Sequence, residues 1–360
     1  MQDKIKNIII VIGFISILIL VFFLNIVSKE EKISMTERRK LEQFPKITIS
    51  EILNGNTMSK LEKYAEDQFI KRDFFRKIKT CWDLYVFRKQ DNNKLFEKDG
   101  AIYKIEYPLN EFNIKKSAQK INELYEKYMK NMNVYYSIIP EKNYYLENDN
   151  HLKLDYDKLK QIMKSELNEV KYIDIFQGLS IEDYYKTDLH WKQENLSDVV
   201  GIIQENMGLQ KLQKKYEIQN KGEFYGAYYG QLGIELPPDN IYILENETIN
   251  NCEVYNFETN KKTKIYNETN SMDKYDIFLS GATPLISVEN RTAQTDRELL
   301  LFRDSFGSSI APLLLENYSK ITLIDLRYIS SKILDKYIEF NGQDVLFLYS
   351  SIILNQNIFK

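Results

Sequence analysis

Reactive side chains are scarce in this chain: its 360 residues include only two cysteines and two histidines. Cys81 and Cys252 lie far apart and in no metal-like spacing, which excludes a disulfide scaffold and a thiolate metal centre. The reading expects two unpaired thiols, with a single disulfide outside the cell as the alternative. Two histidines and scattered carboxylates do not build a typical zinc site, so no metal is expected. Proline and glycine are also few, 7 and 13, and no repeat or low-complexity segment stands out, so a fibrous or disordered chain is excluded. The net charge is only −3, from 49 basic and 52 acidic residues interleaved along the chain. That balance lacks the electrostatic footprint of a nucleic-acid binder.

What the chain does have is enough apolar residue, 43%, for a sizeable core in one large domain or two ordinary ones. Its 26 tyrosines fit a sugar-binding surface, because the ring offers an apolar face with a polar tip. A biased genome that raises Lys, Asn, Ile and Tyr together is the stronger explanation. From Ile8 to Val27 the sequence is almost wholly apolar, interrupted only by Gly13, Ser16 and Asn25, and a run of about 20 such residues spans a bilayer as a helix. No small-residue cleavage site follows, so residues 1–28 read as a retained signal anchor. Lys4 and Lys6 precede the run and Lys29 and Lys32 follow it. The positive-inside rule is thus nearly neutral, tipped by the free amino terminus toward an inside N-terminus and an extracytoplasmic body.

Residues 29–100 read as a charged linker followed by amphipathic helices. Leu61, Tyr64, Ala65, Gln68 and Phe69 recur at helical spacing, and these helices are expected to pack onto the main domain. Residues 101–360 alternate strand-length apolar runs (Val134 to Ile139, Tyr172 to Ile175, Leu299 to Phe302, Ile321 to Asp325, Val345 to Tyr349) with helical stretches. This pattern predicts an α/β domain built on a mostly parallel sheet. At about 223–288 short alternating runs (Ile241 to Leu244, Glu253 to Phe257, Lys264 to Tyr266) read as a β-rich insertion.

One segment combines a buried strand, a tight turn and a helix: Leu299 to Phe302, then Arg303-Asp304-Ser305, then Ser308 to Tyr318. A serine there lies at the C-terminal edge of the sheet, where open α/β folds place ligands. The helix N-terminus and the Ser305 N–H suit a developing oxyanion. Simple helix capping by Ser305 is the competing explanation. A nucleophilic serine needs a base. His151 falls in the polar stretch Glu147-Asn148-Asp149-Asn150-His151, which reads as a solvated loop. His190 lies in Thr187-Asp188-Leu189-His190-Trp191. In an extended segment Asp188 and His190 project to one side, so the carboxylate can fix the imidazole tautomer. Asp-x-His alone also fits a surface or metal-binding histidine.

Taken together, Lys186-Thr187-Asp188-Leu189-His190-Trp191 and Arg303-Asp304-Ser305-Phe306-Gly307 resemble the paired signatures of the DHHW family and the related alginate O-acetylation proteins J and X, in the SGNH hydrolase-like superfamily. Further similar stretches are Glu37-Arg38-Arg39-Lys40-Leu41, Phe69-Ile70-Lys71-Arg72-Asp73, Pro140-Glu141-Lys142, Tyr225-Gly226, Tyr275 to Gly281, and Ile324 to Tyr328. The resemblance implies an SGNH-like, flavodoxin-like fold, Ser305 as nucleophile, His190 as general base and then acid, Asp188 as orienting carboxylate, and no cofactor. It implies transfer of an acyl group, acetyl above all, to a cell-surface polysaccharide, with a membrane-bound acyl-exporting acyltransferase as partner. Removal of the acyl group to water, and a non-catalytic glycan-binding or assembly role, are the alternatives. Two departures stand out. Leu189 replaces the first histidine of the family name, and Gly281-Ala282-Thr283 stands where many relatives have Gly-Gly-Asn. A side-chain oxyanion donor is then missing, with Thr283 or N–H groups near Gly226 as substitutes and Arg303 as a further neighbour. Such a weakened site would lose roughly 100- to 1000-fold in rate.

Overall fold

The computed structural model describes residues 2–48, 50, 53–54, 56–211, 215–268 and 271–360. The chain divides into two compact units, one of residues 1–92 with 230–235 and one of residues 93–229 with 236–360.

The first unit opens on the helix Gln2–Val27. Its stretch Asp3–Val27 is long and apolar enough to cross a membrane and is not covered by protein. A two-strand hairpin follows, β1 (Ile33–Ser34) with β2 (Arg39–Lys40), and then the helices Asn56–Asp67 and Arg72–Cys81. The latter runs on through a wider turn, Trp82–Val86. Glu37 accepts ion pairs from Arg72 and from Arg76 (3.3 Å), and Asp67 pairs with Arg39, so charged groups join the hairpin to both helices. The sequence reading has these helices packing by an apolar face. In the second helix the opposite holds: Phe74, Phe75, Trp82 and Tyr85 are exposed whereas Thr80 and Asp83 are buried.

The second unit starts with the hairpin β3 (Leu95–Lys98) and β4 (Ala101–Lys104), turned by Asp99 and Gly100, both at positive φ. Its centre is an eight-stranded sheet. The strands are β5 (Val134–Ile139), β6 (Lys171–Tyr172), β9 (Glu253–Asn256), β10 (Lys261–Thr263), β11 (Leu285–Glu289), β12 (Glu298–Arg303), β13 (Lys320–Ile324) and β14 (Asp344–Ser350). They are ordered β10-β9-β11-β13-β12-β14-β5-β6. The five strands from β13 to β6 are parallel, and β11, β9 and β10 extend one edge antiparallel. β5, β12 and β14 are buried almost throughout, which is why they read as continuous apolar runs. Helices Glu111–Leu124 and Tyr156–Glu166 cover one face and Ser197–Asn206 and Phe306–Leu314 the other, each side with its own core cluster. Asn110 and Asp155 cap the first two by accepting the N–H of Asn113 and Lys158, the usual remedy for the open first turn of a helix.

The expected mostly parallel sheet with helices on both faces is therefore present. The segment 223–288 departs from the reading in two ways. Most of its strands extend the main sheet, and only β7 (Glu217–Phe224) with β8 (Asp239–Glu245) forms a separate hairpin. The strand expected at Lys264 to Tyr266 lies earlier, at Lys261–Thr263, and Tyr266 instead makes an isolated bridge to Phe278.

Candidate active site

Ser305 follows the C-terminal end of β12 and immediately precedes the helix Phe306–Leu314. Asp304, buried beneath it, accepts from the Phe306 N–H (3.0 Å) and the Ser350 N–H (2.8 Å), which ties the turn to the end of β14. Gly307 is required here, since a Cβ would lie 2.4 Å from Arg303 Cβ. Ser305 occupies the N-cap position, yet its side chain makes no capping bond. Its Oγ lies 2.7 Å from His190 Nε2. Capping thus does not account for this serine.

The residues before His190 do not form the extended segment expected. Tyr184 and Trp191 bridge antiparallel and close a tight loop, in which the Tyr185 N–H donates to His190 O at 3.1 Å. Asp188 and His190 meet nonetheless, because Asp188 Oδ1 accepts from the His190 N–H (3.0 Å) and contacts Nδ1 (2.5 Å). A carboxylate only accepts, so Nδ1 carries the proton and Nε2 presents its lone pair to the serine hydroxyl. Residues just beyond dock the loop onto the serine helix. Trp191 Nε1 donates to Ser309 Oγ (2.8 Å) and Gln193 Nε2 to Ser309 O (2.7 Å). Tyr275 stacks on the imidazole, ring centroids 3.8 Å apart, and its hydroxyl donates to Ser309 Oγ at 2.7 Å.

Several groups with no assigned role in the sequence reading hold this loop. Lys142, fully buried, donates from Nζ to Tyr185 O (2.7 Å), Lys186 O (3.1 Å) and Asp188 O (2.7 Å). Asp239 accepts from the N–H groups of Lys186 and Thr187 and from the Thr187 hydroxyl. Burial pushes Lys142 down to about 8 and the neighbouring Glu141 up to about 7. Glu141 accepts from the Tyr228 hydroxyl at 2.9 Å. The one signal available in sequence was Pro140-Glu141-Lys142 just after a buried strand, where charged residues are rare unless they have partners.

The proposed oxyanion groups fare unequally. The Gly226 N–H is already donated to Thr187 Oγ1 (2.9 Å) and the Ala227 N–H to Asp188 Oδ2 (2.6 Å). The Ala227 N–H therefore supports Asp188 and the Gly226 N–H braces Thr187, and neither is open to an oxyanion. Arg303 is wholly buried. Its Nη2 donates to Gly281 O (3.3 Å) and Thr283 Oγ1 (3.4 Å), while Nη1 lies 3.6 Å from Asp325. Arg303 thereby fastens the 279–283 turn, in which Leu279, Ser280 and Gly281 all have positive φ. Because Thr283 Oγ1 only accepts from Arg303, its own proton remains able to donate. Among the described residues the Ser305 N–H makes no hydrogen bond. His151 stands apart from this group: its ring stacks on Phe96 at 3.5 Å and bonds Asp149, so it is packed rather than simply solvated. Cys81 and Cys252 are both free thiols. Among the described residues no cluster of His, Cys, Asp or Glu is placed to hold a metal ion.

The likeness to the DHHW family is borne out. The family model described as DHHW protein matches residues 156–324, a stretch that contains Asp188, His190 and Ser305. Among solved structures, a DHHW family protein from Eubacterium siraeum superposes with a TM-score of 0.59 at 19% identity, over 73% of this chain and 93% of that one. Bacillus cereus PatB1 does so with a TM-score of 0.58 at 19% identity, over 75% and 99%. Its form with a sulfonyl adduct gives 0.57 at 20%, over 74% and 97%. The chain therefore has the α/β fold of these structures. No curated protein matches it in sequence.

Proposed function

We propose that this protein is a membrane-anchored serine acyltransferase of the extracytoplasmic surface, which moves an acyl group, acetyl above all, onto hydroxyls of a cell-surface polysaccharide. The observation that carries the reading is the continuous row Asp188–His190–Ser305, with 2.5 Å and 2.7 Å between successive heavy atoms. In the first half-reaction His190 Nε2 takes the Ser305 proton as Oγ attacks the acyl carbonyl. The tetrahedral oxyanion is met by the Ser305 N–H, with the Thr283 hydroxyl as second donor. Collapse breaks the bond to the donor oxygen, which leaves with the proton from His190. In the second half-reaction an acceptor hydroxyl gives its proton to His190 and attacks the acyl-serine, and Ser305 recovers the proton on release. Asp188 supports the imidazolium in both steps. A sugar hydroxyl as acceptor gives transfer and water gives hydrolysis.

The helix Gln2–Val27 fits the anchor. A body held at the outer face has no access to cytoplasmic acyl donors, so a membrane-bound acyl-exporting acyltransferase would supply the acyl group. The test has two arms. A fluorophosphonate should label the parent and fail to label Ser305→Ala, which should fold normally because the side chain makes no capping bond and only its hydrogen bond to His190, worth about 1 kcal/mol, is lost. Equal labelling would refute the nucleophile. Acetyl content of surface glycans should fall in a deletion strain and in a Ser305→Ala strain. A rise in both would identify an esterase, and no change in either would refute the acetyl-transfer reading.

A further inference from the structure

The helix Arg72–Cys81 and its continuation Trp82–Val86 are amphipathic in the reverse sense. Phe74 is 57% exposed, Phe75 51%, Trp82 52% and Tyr85 62%, while Thr80 is 2% and Asp83 7% exposed. Phe74, Ile78, Trp82 and Tyr85 recur every three or four residues and so form one stripe. On the opposite side, polar groups make the contacts within the unit. Thr80 Oγ1 donates to Leu232 O (2.9 Å) and accepts from Asn92 (2.9 Å), and Arg76 donates to Gly230 O (3.0 Å). An apolar stripe this large, turned outward by a polar face that is fully used, needs a cover.

The position of the stripe identifies the cover. Asn25, in the last turns of the apolar first helix, accepts the Ile70 N–H at 2.8 Å. Gln68 accepts the Glu31 N–H (2.9 Å) and donates to Glu31 O (2.8 Å). The turn that starts the aromatic helix is therefore bonded to the end of the first helix, at the level where a spanning helix leaves the hydrocarbon. Tryptophan and tyrosine are favoured at that level, and phenylalanine on the buried face of a helix lying in the interface. Residues 69–89 also hold seven basic side chains against two acidic ones, the balance that draws a helix onto an anionic lipid surface.

We propose that the segment Phe74 to Phe87 lies in the headgroup region of the membrane spanned by the first helix, with Phe74, Phe75, Ile78, Trp82, Tyr85 and Val86 immersed in lipid. This rests on the reading of the first helix as a membrane span. The first unit is then held at two places, by the spanning helix and by a second helix lying in the plane of the surface.

Trp82 is a built-in reporter. The only other tryptophan, Trp191, is fully buried. The full chain is reconstituted in phosphatidylglycerol–phosphatidylcholine vesicles whose phosphatidylcholine is brominated near the headgroup end of its chains. Trp82 emission should be quenched, and the quenched component should be missing in Trp82→Phe. A control carrying both Trp82→Phe and Phe22→Trp puts the reporter inside the first helix. Quenching of that control but not of Trp82 overturns the docking and leaves the anchor standing. Loss of quenching in both overturns the anchor and the docking with it. Trp82 shielded from acrylamide, unquenched by bromine and sensitive to the protein-to-lipid ratio would assign the face to a second copy, which also overturns the proposal.

Discussion

Replacing Lys142 by methionine keeps most of the side-chain volume and removes the ammonium that bonds three carbonyls of the loop before His190. A buried carbonyl left without a donor costs about 1–3 kcal/mol, so three of them cost about 3–9 kcal/mol. Part of this is offset, because burial holds Lys142 at about 8, below its ordinary 10.5, and relieving that strain returns about 3 kcal/mol. The net loss is on the order of 3 kcal/mol, and it falls on residues 185–188, where the carbonyls are released. A displacement of catalytic groups by about 1 Å costs roughly 100-fold in rate. Lys142→Met should therefore lower kcat by about that factor with KM little changed. The assay is turnover of an acetylated model substrate by the parent, Lys142→Met, His190→Ala and the double variant. A residue that acts through His190 gives a non-additive cycle: Lys142→Met has little further effect once His190 is gone. Full additivity, or a parental kcat in the single variant, would refute the positioning role.

Asp188→Asn leaves the loop's shape but presents the wrong partner to Nδ1, and activity should drop about 10,000-fold with an unchanged circular-dichroism spectrum; a drop below tenfold would count against the triad. Gly226→Ala should destabilise by about 1–3 kcal/mol in urea unfolding, because the new Cβ would sit 2.3 Å from both Asp188 Cβ and Thr187 O; parental stability and activity would contradict that packing. Burial raises Glu141 from 4.5 to about 7, so between those values the folded state holds a proton the unfolded chain has lost, and stability falls as pH rises through the window. Glu141→Gln cannot ionise, and its stability relative to the parent should increase from about pH 5 to about pH 8; parallel pH profiles would refute the assignment.

Periodicity carried much of the fold and only part of the site. β5, β12, β13 and β14 were legible because a strand buried on both faces must be apolar along its length. The edge strands were harder. Lys261–Thr263 is a short polar strand of lysines and threonine whose pairing with β9 leaves no apolar signature. Ser305 and His190 could be singled out because a strand-turn-helix places a serine well and histidines are few. Their meeting across 115 residues is set by Trp191 and Gln193 docking on Ser309, which no local spacing encodes. Gly226 drew notice as a substitute source of oxyanion donors, but the direction of its N–H, toward Thr187, belongs to the folded backbone alone.

The same limit explains the aromatic helix. A helical period reports that two faces differ, and burying the apolar one follows only if water is the solvent on the other side. In Arg72–Cys81 the polar face finds its partners inside the unit, through Thr80 and Arg76, and the aromatic face is left outward. Asn25 breaks the apolar run near its end, and in the structure it bonds the backbone at the start of that helix. A polar residue near the end of a long apolar helix and an outward aromatic stripe are each puzzling for a body surrounded by water. Both follow from the one condition proposed above, that the unit folds against a lipid surface, and under that proposal the sign of the burial pattern is a property of the solvent as much as of the sequence.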